Sequence, residues 1–371
     1  TTEIYTLSLH DALPISVPAG GDQTVTLEHP WDNPELWWPD RPTLYRAVTL
    51  VRDGDTLLDQ RDTVFGFREW EWAGTRFVLN GVPWQFFADT TVPDGRDVDA
   101  CVAGWRRNGQ NMWRLWGRGF AGLSTSQFLD KMDRAGMPVR RSGIFDGQGA
   151  NYLHQLANGP ELFDHWQEQL AAQIREERNH PSVFIWSIEN EVTFINSRNL
   201  GLASRVEPEI ERVAKAAMSL DPTRPVMVDG GNCLTNNSLP VNGVHYLEMA
   251  WRDYPDEAYT LDEGFRCHKE NLLPGWGKNQ WQLVPDKPIF MGESYYLRGS
   301  KPADFALFGG EACFTGWGTG TRRGAGIYAK MLAEGYRWQG VAAQHFWLGG
   351  EDAGGLHYNS WKPVALLCRE W

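Results

Sequence analysis

Two glutamates stand where the chain could perform acid–base or nucleophilic chemistry. Glu191 ends the apolar run of residues 183–191, and Glu293 ends the apolar run of residues 288–293. Short apolar runs of this kind are typical of buried parallel strands, and α/β barrels place their reactive groups at the carboxyl ends of such strands. Two carboxylates facing one cleft are the minimum equipment for hydrolysing a glycosidic bond. Taken alone, each glutamate could equally be a helix cap or a solvated loop residue.

The spacing of the two glutamates predicts where they lie in a barrel. The interval between them has room for three strand–helix units of about 34 residues each, near the usual length of a βαβ unit. If Glu191 ends strand 4 of a barrel, Glu293 therefore ends strand 7. This shared register favours a paired chemical role over two unrelated caps.

After Gly74, strand-like runs alternate with helical ones, which predicts a parallel sheet with crossover helices. Eight such units make a (β/α)8 TIM barrel, and about 290 residues is an ordinary length for one. A doubly wound open sheet is the alternative, but no glycine-rich phosphate loop follows the first strand. The predicted strands are residues 84–88, 111–116, 138–145, 183–191, 225–229, 243–247, 288–293 and 340–347, and the predicted helices are residues 126–135, 160–178, 205–220 and 322–338.

The region before Gly74 has a β pattern. Residues 23–28 alternate, residues 44–52 and 56–65 read as paired strands, and Asp53-Gly54 is the hairpin signal. Roughly 50 residues are too few for a complete sandwich of about 100, so part of a sandwich is expected. Residues 1–16 do not continue the pattern and resemble a translated sequencing adapter, so we set them apart as a non-native segment. Without an initiator Met the chain reads as a fragment, and localisation is not predicted.

Composition argues against several classes of function. The formal charge of −12, with no basic stripe, argues against nucleic acid or anionic membranes as partners. The longest apolar runs fall well short of the roughly 18 residues of a membrane helix. The five cysteines and the scattered histidines lack metal-ligand spacing, so we expect buried or free thiols, no metal and no cofactor. Nineteen tryptophans offer indole faces for sugar rings, although most are expected in the core.

Four groups of motifs carry a resemblance to a known family. They are Asn179-His180-Pro181-Ser182 leading to Trp186-Ser187 and Asn190-Glu191; Lys287-Pro288-Ile289 leading to Glu293; Trp38-Pro39 with Pro42-Thr43-Leu44-Tyr45; and Phe65-Gly66-Phe67-Arg68 followed by Phe77-Val78-Leu79-Asn80-Gly81. From about residue 37 to residue 371 the chain resembles the second half of a family 2 glycoside hydrolase, the family of β-galactosidases, β-glucuronidases and β-mannosidases.

The resemblance implies a fold, an activity and two roles. Residues 17–73 would be a partial immunoglobulin-like β-sandwich, and residues 74–371 a TIM-barrel catalytic domain. The activity implied is that of a retaining exo-acting β-glycosidase, β-galactosidase-like, with Glu191 as general acid/base and Glu293 as nucleophile. A retaining mechanism needs carboxyl groups about 5–5.5 Å apart, so we expect their oxygens to lie roughly 4.5–6 Å apart.

The resemblance also suggests residues that bind substrate. Arg114 would orient Glu293, with a structural ion pair as the alternative, and Asn190 would bind the sugar 2-hydroxyl or else cap a turn. The pair His245 and Tyr246 ends strand 6, and only one of these neighbours can point inward. Further candidates at strand ends are Trp347, as a sugar platform or a core residue, and Asp89 and Trp116.

Departures from the family pattern leave the sugar and linkage open. Residues 88–91 lack the histidine that the family often carries there, strand 3 contains the cations Arg140 and Arg141, and strand 6 lacks the aromatic run of glucuronidases. The expected partner is an oligosaccharide or glycoside substrate, with no nucleic acid, no membrane and the oligomeric state unknown. The alternatives are a non-catalytic carbohydrate-binding barrel, or another hydrolase on the same barrel, which would need a metal cluster or a Ser/His/Asp set.

Overall fold

The computed structural model describes residues 4–7, 14–89, 97–107, 110–117, 119–120, 122–146, 161–197, 200–245, 283–293 and 340–346. Within these ranges the chain forms a β-rich N-terminal region followed by eight parallel strands with helices on their outer side.

The N-terminal region contains a three-stranded sheet. Strands β2 (Leu44–Asp53) and β3 (Thr56–Phe65) form the predicted antiparallel hairpin, and β1 (Ile4–Leu7) lies parallel along β2. The ring of Tyr45 packs on Trp31 and Phe65, with centroids 4.8 and 5.9 Å away. β1 falls within residues 1–16, and the non-native origin of this segment stays a prediction. The division of the chain into domains at residue 74 also stays a prediction.

Residues 23–28 do not form the strand that their alternation predicts. Residues 14–30 have no regular secondary structure, and the side chains of Val25 and Leu27 are exposed. Alternation produces a strand where a partner strand and a core cover its apolar side. The described residues supply neither for this stretch, so this expectation was wrong.

A second antiparallel sheet, which was not predicted, leads into the barrel. It consists of β4 (Trp70–Ala73), β5 (Arg76–Leu79) and β6 (Val82–Trp84). Trp84 therefore ends this sheet rather than beginning the first barrel strand. Trp70 packs 5.6 Å from Phe184, and Phe77 packs 6.1 Å from Phe290, so the sheet closes the amino-terminal end of the barrel.

Eight parallel strands form the barrel in two groups of four, and each overlaps one predicted strand. One group has the order β11-β10-β9-β8 and the other β12-β13-β14-β7. Phe87 joins the groups at one edge through hydrogen bonds with Asn111 (2.8 and 3.0 Å), and Gly230 joins them at the other by donating to the carbonyl of Gly243 (3.2 Å). The strands are β7 (Phe86–Asp89), β8 (Trp113–Leu115), β9 (Val139–Asp146), β10 (Val183–Asn190), β11 (Val226–Asp229), β12 (Asn242–His245), β13 (Ile289–Glu293) and β14 (Val341–Phe346).

Four α-helices lie among the described residues: α1 (Val98–Arg107), which was not predicted, α2 (Thr125–Ala135), α3 (Glu161–Glu177) and α4 (Ala203–Leu220). The helix predicted at residues 322–338 lies outside the described residues. Helix α2 starts with a capping box at Ser124 and ends at Gly136. The φ of Gly136 is 67°, in the left-handed region that favours glycine. A side chain would also not fit there, because a Cβ would clash with the carbonyl oxygen of Pro39. No helix in the described ranges combines the length and apolar character needed to cross a membrane.

Candidate active site

The predicted catalytic glutamates meet at the carboxyl end of the barrel strands. Glu191 directly follows β10, Glu293 ends β13, and His245 ends β12 between them. One carboxylate oxygen of Glu191, one of Glu293 and one ring nitrogen of His245 all lie within 4.8 Å of one another. All three side chains are buried, so charge at this site depends on protein partners more than on water.

Arg114 connects the two predicted catalytic strands. From β8 its Nη1 donates to Oε1 of Glu293 at 2.5 Å, and its Nη2 donates to Oδ1 of Asn190 at 2.9 Å. Its Nε donates to the hydroxyl of Ser142 at 2.9 Å. The planar guanidinium can satisfy several acceptors in fixed directions. The structure therefore brings Arg114 and Asn190 together with Glu293, and the roles assigned to them stay predictions.

His245 is the member of the His245/Tyr246 pair that points inward. Its Nδ1 lies 2.7 Å from Oε1 of Glu191 and 3.9 Å from Oε2 of Glu293, while its Nε2 lies 3.1 Å from Oδ1 of Asp229. Burial disfavours the charged ring, but the carboxylates of Glu293, Asp229 and Glu191 outweigh burial and raise the pKa of His245 to about 10. At neutral pH the ring therefore carries a proton on both nitrogens. Tyr246 lies outside the described residues.

Asp229, which was not among the predicted site residues, is the central anion of the site. Its carboxylate accepts from Arg114 at 3.1 Å, pairs with Arg140 and accepts from the hydroxyl of Ser187. Burial opposes ionisation, but Arg140, Arg114 and His245 together hold the pKa of Asp229 well below its usual value. Asp229 ends β11, so the strand-end rule that identified Glu191 and Glu293 would also have found it.

The backbone of β13 leaves space for this network. A Cβ on Gly292 would lie 2.3 Å from Oδ1 of Asp229 and 2.7 Å from Nε2 of His245. The carbonyl of Gly292 accepts from Nη1 of Arg140 at 2.8 Å. A glycine next to Glu293 therefore lets the anion and the imidazole approach the nucleophile strand.

The two arginines of β9, which departed from the family pattern, point to opposite sides of the sheet. Arg140 faces the barrel interior and pairs with Asp229, and burial and the neighbouring Arg114 lower its pKa to about 10. Arg141 faces helix α3 and binds both carboxylate oxygens of Glu177, at 2.6 and 2.9 Å. Only Arg140 therefore belongs to the site.

The backbone at Glu191 has an uncommon conformation. Its φ is 56°, in the left-handed region that residues other than glycine, asparagine and aspartate rarely adopt. Its amide N–H donates to the carbonyl of Asp229 at 2.8 Å, and a one-turn π-helix, Val192–Ser197, follows it. π-Helical turns occur often at functional sites.

The remaining predicted site residues are placed only in part. Trp116 is half-buried, and its ring lies 3.7 Å from Cζ of Arg114, which is a cation–π contact. Asp89 ends β7, where only its backbone is described. Trp347 lies outside the described residues. Trp116 thus joins the site through Arg114, while the roles of Asp89 and Trp347 stay predictions.

Two groups of side chains in the described ranges have the ligand types for a metal ion: Glu191, His245 and Glu293, and at the opposite end Asp130, Asp133 and His180. In the first group the ring of His245 forms a hydrogen bond with Glu191, and Arg114 donates a hydrogen bond to Glu293. In the second group His180 bonds Asp133 at 2.6 Å, and Asp133 also accepts from the amide of Ser182. Protein donors therefore already bind Glu191 and Glu293 in the first group and Asp133 in the second.

Comparison with family models gives two matches. Residues 125–290 match the model described as glycosyl hydrolases family 2, TIM barrel domain. Residues 10–68 match the model described as glycosyl hydrolases family 2. The first range contains Glu191, Asp229 and His245, and it ends three residues before Glu293.

Individual relatives are longer than this chain. A protein of Formosa agariphila named "Putative beta-glucuronidase" is 32% identical over 224 residues, which is 57% of this chain and 19% of that protein. The solved β-glucuronidase of Ruminococcus gnavus is 16% identical, with a TM-score of 0.63, over 91% of this chain and 58% of that one. The β-galacturonidase of Eisenbergiella tayi bound to galacturonate is 20% identical, with a TM-score of 0.59, over 87% and 54%. The solved structures share the fold of this chain.

Proposed function

Because the chain belongs to glycoside hydrolase family 2, we propose that it is a retaining, exo-acting β-glycosidase that cleaves O-glycosidic bonds by double displacement. The observation that carries the proposal is the proximity of Glu191 and Glu293, whose nearest carboxylate oxygens lie within 4.8 Å. Inverting enzymes keep their carboxyl groups about 6.5–9.5 Å apart to admit a water molecule, and retaining enzymes about 5–5.5 Å. The short separation here supports retention.

In the first step Glu293 is the nucleophile. Its carboxylate oxygen bonds to the anomeric carbon, the bond from that carbon to the leaving oxygen breaks, and Glu191 gives its proton to the leaving oxygen. Arg114 donates to Glu293 at 2.5 Å and so fixes the direction of attack. The products are the released alcohol and a glycosyl ester of Glu293.

In the second step Glu191 acts as a base. Its carboxylate takes a proton from water, the water oxygen bonds to the anomeric carbon, and the ester bond breaks to restore the Glu293 carboxylate. His245 bonds Glu191 at 2.7 Å and so holds this carboxyl beside the anomeric carbon in both steps. We assign to Asn190, oriented by Arg114, the binding of the sugar 2-hydroxyl.

The proposal also names the sugar that the enzyme prefers. Sequence reasoning favoured a β-galactoside, whereas the relatives carry the names β-glucuronidase and β-galacturonidase. We therefore place β-uronides first and β-galactosides second.

A panel of 4-nitrophenyl β-glycosides tests the proposal. It contains the glucuronide, galacturonide, galactoside and mannoside, and it is run on this chain and on the chain fused at its N-terminus to the sugar-binding domain of a relative. We expect turnover of one uronide or the galactoside, with the β-anomer of the sugar as first product by proton NMR. Binding without turnover of any glycoside by either protein would favour the non-catalytic barrel, and an α-anomer as first product would exclude retention.

A further inference from the structure

Strand β10 carries a second buried glutamate two residues before Glu191. Oε2 of Glu189 accepts the backbone N–H of Val192 at 2.6 Å, and its Oε1 lies 3.3 Å from the hydroxyl of Thr193. Glu189 is 1% exposed. Its carboxyl thus reaches past Glu191 and binds the two residues that follow it.

These contacts fix the peptide that carries Glu191. On one side the N–H of Glu191 donates to Asp229, and on the other the N–H of Val192 donates to Glu189. Between these bonds Glu191 holds its left-handed φ of 56°. A conformation that is rarely populated persists when its surroundings over-determine it. The Glu189 carboxyl and the Asp229 carbonyl provide such surroundings.

The charge state of Glu189 suits a structural hydrogen bond more than proton transfer to substrate. Burial and the nearby charge of Asp229 raise the pKa of Glu189 to about 8. They outweigh the hydrogen bonds from Val192 and Thr193, which lower this pKa. Near neutral pH the carboxyl is therefore mostly protonated. The protonated carboxyl still accepts from Val192 and stays within hydrogen-bond distance of the Thr193 hydroxyl, which can donate or accept, so a glutamine side chain could make the same two contacts.

We propose that Glu189 is a positioning residue that holds Glu191 in the conformation needed for proton transfer to the leaving group. The inference rests on the proposed function, because it assigns Glu189 to the acid/base step of that reaction. Glu189 acts through Glu191 and has no role in nucleophilic attack by Glu293.

The test compares Glu189→Ala with Glu189→Gln on two aryl glycosides of the preferred sugar. General acid–base catalysis contributes about 10²–10⁴-fold, and a misplacement of about 1 Å can cost roughly 100-fold. We therefore expect Glu189→Ala to lower kcat/KM about 10- to 100-fold on the phenyl glycoside. On the 2,4-dinitrophenyl glycoside, which needs little protonation, its glycosylation rate should stay within about threefold of the parent. Glu189→Gln should restore most of the lost activity.

Glu207 offers a matched control. It is also a buried glutamate, it lies on helix α4, and it accepts a backbone N–H, that of Thr235 at 3.0 Å. Glu207→Ala should lower thermal stability without a loss that depends on the leaving group. An equal loss on both substrates for Glu189→Ala, or no loss on either, would overturn the inference.

A crystal structure of Glu189→Ala tests the same inference independently of activity. We expect the φ of Glu191 to leave the left-handed region and its bond to His245 to lengthen. An unchanged Glu191 would overturn the inference. An inactive parent would instead count against the proposed function, so the two failures are distinguishable.

Discussion

Arg114 and Glu293 form a buried ion pair at the carboxyl end of the barrel, with Nη1 2.5 Å from Oε1. The same guanidinium also bonds Ser142, Asn190 and Asp229. One cation therefore fixes the predicted nucleophile relative to strands β9, β10 and β11. The geometry predicts that the shape of this cation matters as well as its charge.

Arg114→Lys keeps the positive charge but cannot bind four partners in a plane. We expect kcat/KM to fall about 100-fold on activated and poor substrates alike, because a misdirected nucleophile slows the first step for both. Arg141→Lys is the control, since Arg141 is also buried but binds Glu177 on the helix side of the sheet. Activity of Arg114→Lys equal to that of Arg141→Lys would exclude the orienting role.

Glu191→Gln and Glu293→Gln should fail in different ways. Loss of the acid/base should lower the rate about 10²–10⁴-fold on a disaccharide while leaving glycosylation by a dinitrophenyl glycoside near normal, because dinitrophenolate needs no proton. Azide should restore turnover of Glu191→Gln and yield a β-glycosyl azide. Glu293→Gln should be inactive on every substrate, and Glu207→Gln should resemble the parent. Equal losses on both substrates without an azide response would show that Glu191 is not the acid/base.

Asp229→Ala should be strongly destabilising. It leaves Arg114, Arg140 and His245 without their shared carboxylate, and breaking a buried ion pair costs about 3–5 kcal/mol. Chemical unfolding measures this loss. The control is Asp221→Ala, because buried Asp221 pairs with Arg224 and Trp186 away from the site. Both should lower stability, and only Asp229→Ala should also lower kcat/KM in protein that remains folded.

Stability should depend on pH through His245. Burial lowers its pKa, but Glu293, Asp229 and Glu191 prevail and raise it to about 10, above the value of about 6.5 for an unfolded histidine. The folded state therefore binds the proton more tightly. The stability that this supplies is complete below about pH 6.5 and is lost as pH rises through about 10.

His245→Gln should remove this share of the pH dependence. We expect its free energy of unfolding to fall less steeply than that of the parent between about pH 7 and 10. His165→Gln is the control, because the side chain of His165 on α3 is 75% exposed. Parallel curves for the parent and His245→Gln would refute the prediction.

The barrel strands could be predicted because their local signal is strong. Each of the eight is a short run of mainly buried residues, and the strand-end rule then placed Glu191 and Glu293 on one face. The end of α2 followed from Gly136. The sheet β4–β6 was missed although Asn80-Gly81, with φ of 50° and 80°, is a typical hairpin signal.

The polar network of the site could not be predicted in the same way. Arg140 departed from the family pattern, and Asp229 was not singled out although it ends a strand, because their pairing across β9 and β11 exists only in the fold. Glu189 was not singled out, because the turn that it holds is visible only in three dimensions. Pairing between distant strands sets these roles, and local sequence carries little trace of it.

Trapping the covalent intermediate tests the central assignment most directly. The reagent is the 2,4-dinitrophenyl 2-deoxy-2-fluoro-β-glycoside of the preferred sugar. Its fluorine slows both formation and hydrolysis of the glycosyl ester. The good leaving group keeps formation faster than hydrolysis, so the ester accumulates. Peptide mass spectrometry should find the fluorosugar on Glu293. A label on another residue, or no label on protein that turns over the unfluorinated glycoside, would contradict the assignment of Glu293 as nucleophile.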